Sequence, residues 1–403
     1  MKDYGLRWIE FGNETEATQA LNKIGASEAG VKLMAGKALG RALKLEKVPT
    51  KVANILKQEM LAADGDAAVH RDVVVNKIEE SDILLLGTVR QLEHVANKLF
   101  AQPFGLKELG KALKQLLKTL EPPVQRTLNC REKKLILGER TLVMGILNLT
   151  PDSFSDGGKF FNIEDSLQQA KRLVSEGADI LDIGAESTRP GHQDVDAGEE
   201  WRRLEPVLKA LVGISVPISV DTYKAEVAEK ALQAGANIIN DVWGLQRDPD
   251  LARVVGEYGA PVIVMHNQAG TDYHHLMGDI FTFLRKSIEL AENNGLTGDQ
   301  IIIDPGIGFG KTFEQNLEVL ARLKEFRTLG KPVLLGTSRK STIGKVLELP
   351  VEERLEGTIA TSVLGVAAGA DIIRVHDVQA NRRAIQMADA IIRGQRGANY
   401  VGA

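Results

Sequence analysis

The residues most suited to chemistry begin where an apolar run, Leu142 to Leu147, ends at Asn148 and breaks into Thr150-Pro-Asp-Ser-Phe-Ser-Asp-Gly-Gly158. A Gly-rich polar loop with two aspartates can close over a ligand and release it. Seven more polar clusters follow, each directly behind a short apolar run. They are Asp182-Ile-Gly-Ala-Glu-Ser-Thr-Arg-Pro-Gly191, Ser219-Val-Asp-Thr222, Asn240-Asp241, Met265-His-Asn267, Asp304-Pro-Gly-Ile-Gly-Phe309, Gly336-Thr-Ser-Arg-Lys-Ser341 and Arg374-Val-His-Asp377. Taken singly, Asp182 or Thr222 equally suits a helix N-cap. Polar residues behind all of these runs exceed what capping requires.

The charges sort into two uses. Asp221, Asn240 and Asp304 offer acceptors and an amide, which suits a flat heterocycle carrying an amino group beside a ring N–H. Buried carboxylates need such donors, because an unpaired buried charge is costly. Arg189, Arg374 and His376, with Asn148 placed for a hydrated metal ion, suit a phosphate or diphosphate, whose oxygens Arg meets bidentately. Lys340 can serve either group. Pro305-Gly-Ile-Gly-Phe-Gly-Lys-Thr312 approximates a phosphate loop, yet Pro305 stands where its first glycine belongs. Its glycines at 306, 308 and 310 do not make a dinucleotide fingerprint either, so neither motif is credited.

These clusters need a scaffold that gathers them. From about residue 140, strand-like runs at Leu142–Leu147, Ile180–Ile183, Ile218–Val220, Ile238–Asn240, Val262–Met265, Ile301–Asp304, Val333–Gly336 and Ile372–Val375 alternate with amphipathic, helix-like segments. Eight such units in ~260 residues predict an α/β fold, a closed (β/α)8 TIM barrel with its site at the strands' C-terminal ends. An open doubly wound sheet is the rival. The first ~125 residues differ. Glu16–Ile24, Ala35–Leu45, Thr50–Ala63 and Leu106–Leu120 read as helices, Val73–Val75 and Ile83–Leu86 as strands. That predicts a smaller α/β or α+β domain over 1–125, ended at Glu121-Pro-Pro123, before a barrel over 126–403. No role is legible in the smaller domain.

Composition excludes several classes. The chain has 403 residues, 43% hydrophobic and 26% charged, with a net charge of −4 that points to no nucleic-acid or membrane surface. A lone Cys130 rules out an intramolecular disulfide framework and a Cys-rich zinc site. No apolar run approaches the ~20 residues of a membrane span, and Met1–Glu10 has no signal-peptide core. A cytoplasmic protein is expected.

The ordered set of loops resembles the dihydropteroate synthases, barrel enzymes of folate biosynthesis, over about residues 135 to 395. The first two loops are similar to that family's two signature loops, and Ser219–Thr222, Ile239–Val242, Asp304–Gly310, Ser338–Ser341 and Arg374–Asp377 complete the match. The resemblance implies joining of a dihydropterin-methyl diphosphate to 4-aminobenzoate, with diphosphate released. It implies that Asp221, Asn240, Asp304 and Lys340 hold the pterin beside Met265, Phe309 and Gly336. Asn148 would ligate Mg2+, and Arg374 and His376 would bind the diphosphate. Phe154, Thr188, Arg189 and Pro190 would shape the 4-aminobenzoate pocket, with Ser341 at its carboxylate and Asp156 in the closing first loop. A homodimer through the last helices, and a sulfonamide target, are implied as well. Ala185 and Asn267 depart from residues common in the family. Two other readings stay open. A pterin-dependent methyltransferase would need a corrinoid partner and no diphosphate set; a silent pterin-binding or regulatory homologue would lack turnover.

Overall fold

Runs of Ile and Val too short for an amphipathic helix become parallel strands buried on both faces, as a barrel wall requires. The computed structural model describes residues 7, 9–119, 125–149, 163–186 and 195–393. The chain divides into two compact units, Met1–Pro123 and Val124–Ala403.

In the first unit α1 (Glu14–Ile24) starts behind Asn13, whose side chain accepts from Glu16 N. After α2 (Glu28–Met34), the expected helix Ala35–Leu45 does not form. Only Ala35–Lys37 makes a 3-10 turn, and β1 (Gly40–Pro49) follows. The apolar spacing there also has period two: Leu43 points inward between exposed Ala42 and Lys44. Antiparallel pairing with β3 (Glu80–Thr88), from Gly40↔Thr88 to Leu45↔Ile83, selects that reading. Between them come α3 (Thr50–Ala62) and β2 (Asp66–Val69). The expected strand Val73–Val75 is a turn instead: Val73 is buried, Val74 and Val75 are exposed, and Asn76 adopts φ +52°. The neighbouring Asp72 and Asn76 supply turn chemistry that outweighs three valines. The sheet runs β1-β3-β2. With α4 (Val89–Lys98) and α5 (Leu106–Thr119) it buries Leu56, Met60, Ile83, Leu85, Leu92 and Leu99 in one core.

The second unit opens with a hairpin the sequence did not announce, β4 (Arg126–Cys130) and β5 (Lys133–Leu137). Its Leu128, Cys130, Leu135 and Leu137 cluster with Leu142, Ile180, Ile238, Ile263, Ile302, Leu334 and Ile372, at the N-terminal ends of the wall strands. The hairpin therefore plugs the end opposite the expected site. Each fully buried Leu or Ile there contributes about 1.5–3 kcal/mol. Burial pushes the Cys130 thiol up to about 12, so it stays protonated and unreactive.

The wall is β6 (Leu142–Asn148), β7 (Ile180–Gly184), β8 (Ile218–Asp221), β9 (Ile238–Asp241), β10 (Val262–Met265), β11 (Ile301–Asp304), β12 (Leu334–Leu335) and β13 (Ile372–Val375). Their order is β11-β10-β9-β8-β7-β6-β13-β12, and a parallel bridge Ile303↔Val333 joins the two ends. Closure gives the expected (β/α)8 barrel. Around it lie α6 (Ile163–Ser175), α7 (Ala197–Ala210), α8 (Ala225–Gln233), α9 (Asp250–Glu257), α10 (Leu276–Asn293), α11 (Phe313–Ala321), α12 (Ser341–Leu347), α13 (Leu355–Ala368) and α14 (Val378–Arg393). Among the described residues no helix is long and apolar enough to cross a membrane.

Candidate active site

Parallel strands bring their C-terminal residues to one rim, so side chains far apart in sequence meet there. Asp221, Asn240, Met265, Asp304, Phe309, Gly336, Lys340 and Arg374 line a single cavity with about 300 Å³ of empty space, open mouth included. Val242 lines it too and was not foreseen. With Tyr223, Met265, Trp243 and Phe309 it forms an apolar patch suited to the face of a flat ring.

One buried ion network orients the polar side chains. Arg374 Nε donates to Asp182 Oδ2 at 2.6 Å, and Nη2 donates to Asp221 Oδ2 at 3.0 Å. Burial opposes the charge on Arg374, but Asp182 and Asp221 more than offset it and its pKa rises. Asp182 Oδ2 also accepts from Asn240 Nδ2 at 3.2 Å. A carboxylate only accepts, so it fixes which end of that amide it sees. Asp182 is fully buried in the middle of β7 and is no helix cap. Sequence reasoning gave it no site role, although an aspartate inside an apolar strand needs a cationic or N–H partner.

Asp221 has one oxygen spoken for. Its Oδ1 is buried with no hydrogen-bond partner among the described residues. Burial raises its pKa, Arg374 pulls it back, and neighbouring Asp182 raises it again. A ligand offering N–H groups would satisfy Oδ1 and favour the charged form. Asp304 Oδ1 accepts from Gly306 N at 2.7 Å. Burial raises its pKa as well, against the pull of Lys340. Gly336 keeps this wall thin: a Cβ there would lie 3.8 Å from Arg374 Cβ and 3.9 Å from Asp304 Oδ2.

Lys340 donates to Ile307 O and sits 4.6 Å from the centroid of the Phe309 ring. Burial lowers its pKa to about 8, partly offset by Asp304. The turn that aims it is strained, because Arg339 adopts φ +57°, at about 1–3 kcal/mol for a non-glycine residue. Thr358 Oγ1 accepts from Arg339 N at 3.0 Å, and Asp377 takes its guanidinium bidentately at 2.9 and 2.6 Å. Ser338 Oγ accepts from His376 N at 3.2 Å and lies 2.9 Å from His376 Nδ1. A hydroxyl accepting the first bond can either donate or accept in the second, so Ser338 holds the imidazole whichever nitrogen carries its proton.

Asn148 ends β6, half-buried, in register with Gly184. Ser341 is exposed at the start of α12 and does not line the cavity. Phe154, Asp156, Thr188, Arg189 and Pro190 lie outside the described residues. Among the described residues no three His, Cys, Asp or Glu side chains gather in a metal-binding group. The oxygen of one amide, Asn148, still fits Mg2+, which keeps several waters and binds largely through substrate phosphates.

The family model described as pterin binding enzyme matches residues 144–376. A dihydropteroate synthase of Clostridium beijerinckii is 53% identical over 263 residues, 65% of this chain and 98% of that protein. A crystal structure of the enzyme from Clostridium difficile, solved with pteroic acid present, is 57% identical, covers 64% of this chain and 98% of its own, and has a TM-score of 0.63. A Halobacterium salinarum protein described as a probable bifunctional folylpolyglutamate synthase/dihydropteroate synthase is 39% identical over 397 residues. That match takes in 95% of this chain, first unit included, and 48% of the relative. The chain belongs to the pterin-binding enzymes, among the dihydropteroate synthases.

Proposed function

We infer that the chain condenses (7,8-dihydropterin-6-yl)methyl diphosphate with 4-aminobenzoate to give 7,8-dihydropteroate and diphosphate. The observation that carries this reading is the convergence of Asp221, Asn240, Asp304, Lys340 and Arg374 on one cavity beside an apolar wall. The acceptors suit the amino group and ring N–H of a pterin, and Val242, Met265 and Phe309 its faces. The exocyclic C–O bond breaks as diphosphate leaves, the amine nitrogen forms the new C–N bond, and its proton passes to solvent. An aromatic amine is already neutral at pH 7, so no strong base is needed. Among the described residues no side chain is placed as a covalent nucleophile. The chain contributes position and charge: carboxylates and Lys340 fix the ring, while Arg374 and His376 meet the leaving anion.

Mg2+ is proposed at Asn148, where it would neutralise the departing diphosphate. Asp156 and Arg189 are proposed near the reacting centre, and Phe154, Thr188, Arg189, Pro190 and Ser341 around 4-aminobenzoate, on the family pattern alone. Purified protein with Mg2+, the pterin diphosphate and 4-aminobenzoate should release diphosphate. Tight pterin binding without release would favour the silent pterin-binding reading, and methyl transfer from a methylated pterin to a corrinoid partner, without diphosphate release, the methyltransferase reading.

A cytoplasmic homodimer is also proposed. Leu364, Met387 and Ile391 are 68%, 63% and 69% exposed on α13 and α14, the apolar surface a second copy would cover. Sedimentation should report a dimer, and Leu364→Glu with Ile391→Glu should shift it to monomer. Deleting residues 1–125 should leave measurable synthase activity, since the cavity is lined wholly by the second unit. A folded but inactive truncation would overturn that expectation.

A further inference from the structure

The failed phosphate loop at 305–312 has another use. Lys311 does not reach outward for an anion; its ammonium is folded back under its own loop, and the residue is 8% exposed. Nζ donates to Gly306 O at 2.9 Å and Phe309 O at 3.1 Å, and lies 2.9 Å from His266 Nδ1. Other side chains hold the rest of the loop backbone. Asp304 Oδ1 takes Gly306 N, Asn316 Oδ1 takes Gly308 N at 2.6 Å, Lys340 reaches Ile307 O, and Tyr273 Oη donates to Gly310 O at 2.6 Å. Two glycines are obligatory. Gly306, at φ +70°, would set a Cβ 1.9 Å from His266 O, and Gly310, at φ +53°, one 2.7 Å from Gln268 O. The loop is a fixed backbone cage around one ammonium.

We propose that Lys311, with His266, is a positioning residue for the pterin, locking the loop from which Asp304 and Phe309 line the cavity and the Ile307 carbonyl grips Lys340. The inference rests on the synthase reading. Three acceptors satisfy three ammonium protons, so the side chain has a complete set of partners and one geometry. Burial lowers the pKa of Lys311 to about 7, offset in part by Asp304, and burial with Lys311 nearby lowers His266 to about 3. A neutral His266 is the state that can accept at Nδ1.

The test is a split of Michaelis constants in the full-length protein. Lys311→Met should raise KM for the pterin diphosphate ~10-fold, with 4-aminobenzoate KM within ~2-fold and kcat within ~3-fold. His266→Phe keeps an aromatic ring against Phe283, 5.0 Å away. It should shift the pterin KM the same way by ~3-fold. If Lys311→Met does not fold, His266→Phe decides alone. An unchanged pterin KM in the folded variants, or all constants falling together, would overturn the proposal while leaving the synthase reading intact. Absence of diphosphate release from the unaltered protein would instead end that reading.

Discussion

Arg374→Ala should lower kcat/KM for the pterin diphosphate at least ~100-fold, the scale on which loss of one pre-placed charge-stabilising group acts. Two functions go at once. The guanidinium is the cation between Asp182 and Asp221, and in the proposed reaction it meets the leaving diphosphate. Without it Asp182 Oδ2 keeps only the Asn240 amide, and Asp221 loses the group that pulls its pKa down. Burial already holds Asp221 up at about 8 with the arginine present, and without it the carboxyl moves further up, so its charged form is harder for a ligand N–H to draw out. Both constants should suffer, with KM rising and kcat falling. Arg374→Lys should recover only part of the loss, because an ammonium cannot present the fork that spans two carboxylates. Breaking a buried pair also costs about 3–5 kcal/mol of stability, so rates should be read where circular dichroism reports a folded protein. Rates like those of the unaltered enzyme would mean the ion network lies outside the reaction.

The wall strands were legible because their chemistry is local. Val262–Met265, Ile301–Asp304 and Ile372–Val375 have the bounds their Ile and Val runs imply, and each ends at or beside a polar side chain. The candidate cavity followed from the rule that barrel sites collect at those ends. What stayed hidden depends on register and distance. Asp182 meets Arg374 across 192 residues, a pairing created only when β6, β7 and β13 lie side by side. Val242 carries no polar signal at all. Ala35–Leu45 fits both a helical and an alternating pattern, and pairing with β3 decides between them. In the hairpin 126–137, Ile136 between the inward Leu135 and Leu137 blurs their alternation, and each strand is short. Lys311 was weighed only within a phosphate loop that was then set aside, because its orientation, inward or outward, is not written in a Gly-x-Gly-x-Gly-Lys string.

Lys340→Ala should cut kcat at least ~100-fold, with a different signature from the Lys311 variant. Lys340 is the cation that offsets the burial of Asp304. Removing it pushes Asp304 further up, so the pocket loses a positive charge and the carboxylate loses the largest of the charges that favour its ionised form. The pH profile identifies the group. With its pKa lowered to about 8, Lys340 is charged below that pH and neutral above it. The kcat/KM of the unaltered enzyme should therefore fall as pH rises through about 8, where a solvent-exposed lysine would hold its charge to about 10.4. Lys340→Arg keeps a cation at every working pH, so whatever activity it retains should lose that alkaline limb. A limb nearer pH 7 persisting in Lys340→Arg would belong to Lys311, which burial lowers to about 7. A limb at pH 8 unchanged in Lys340→Arg would show that this lysine's charge plays no part in turnover.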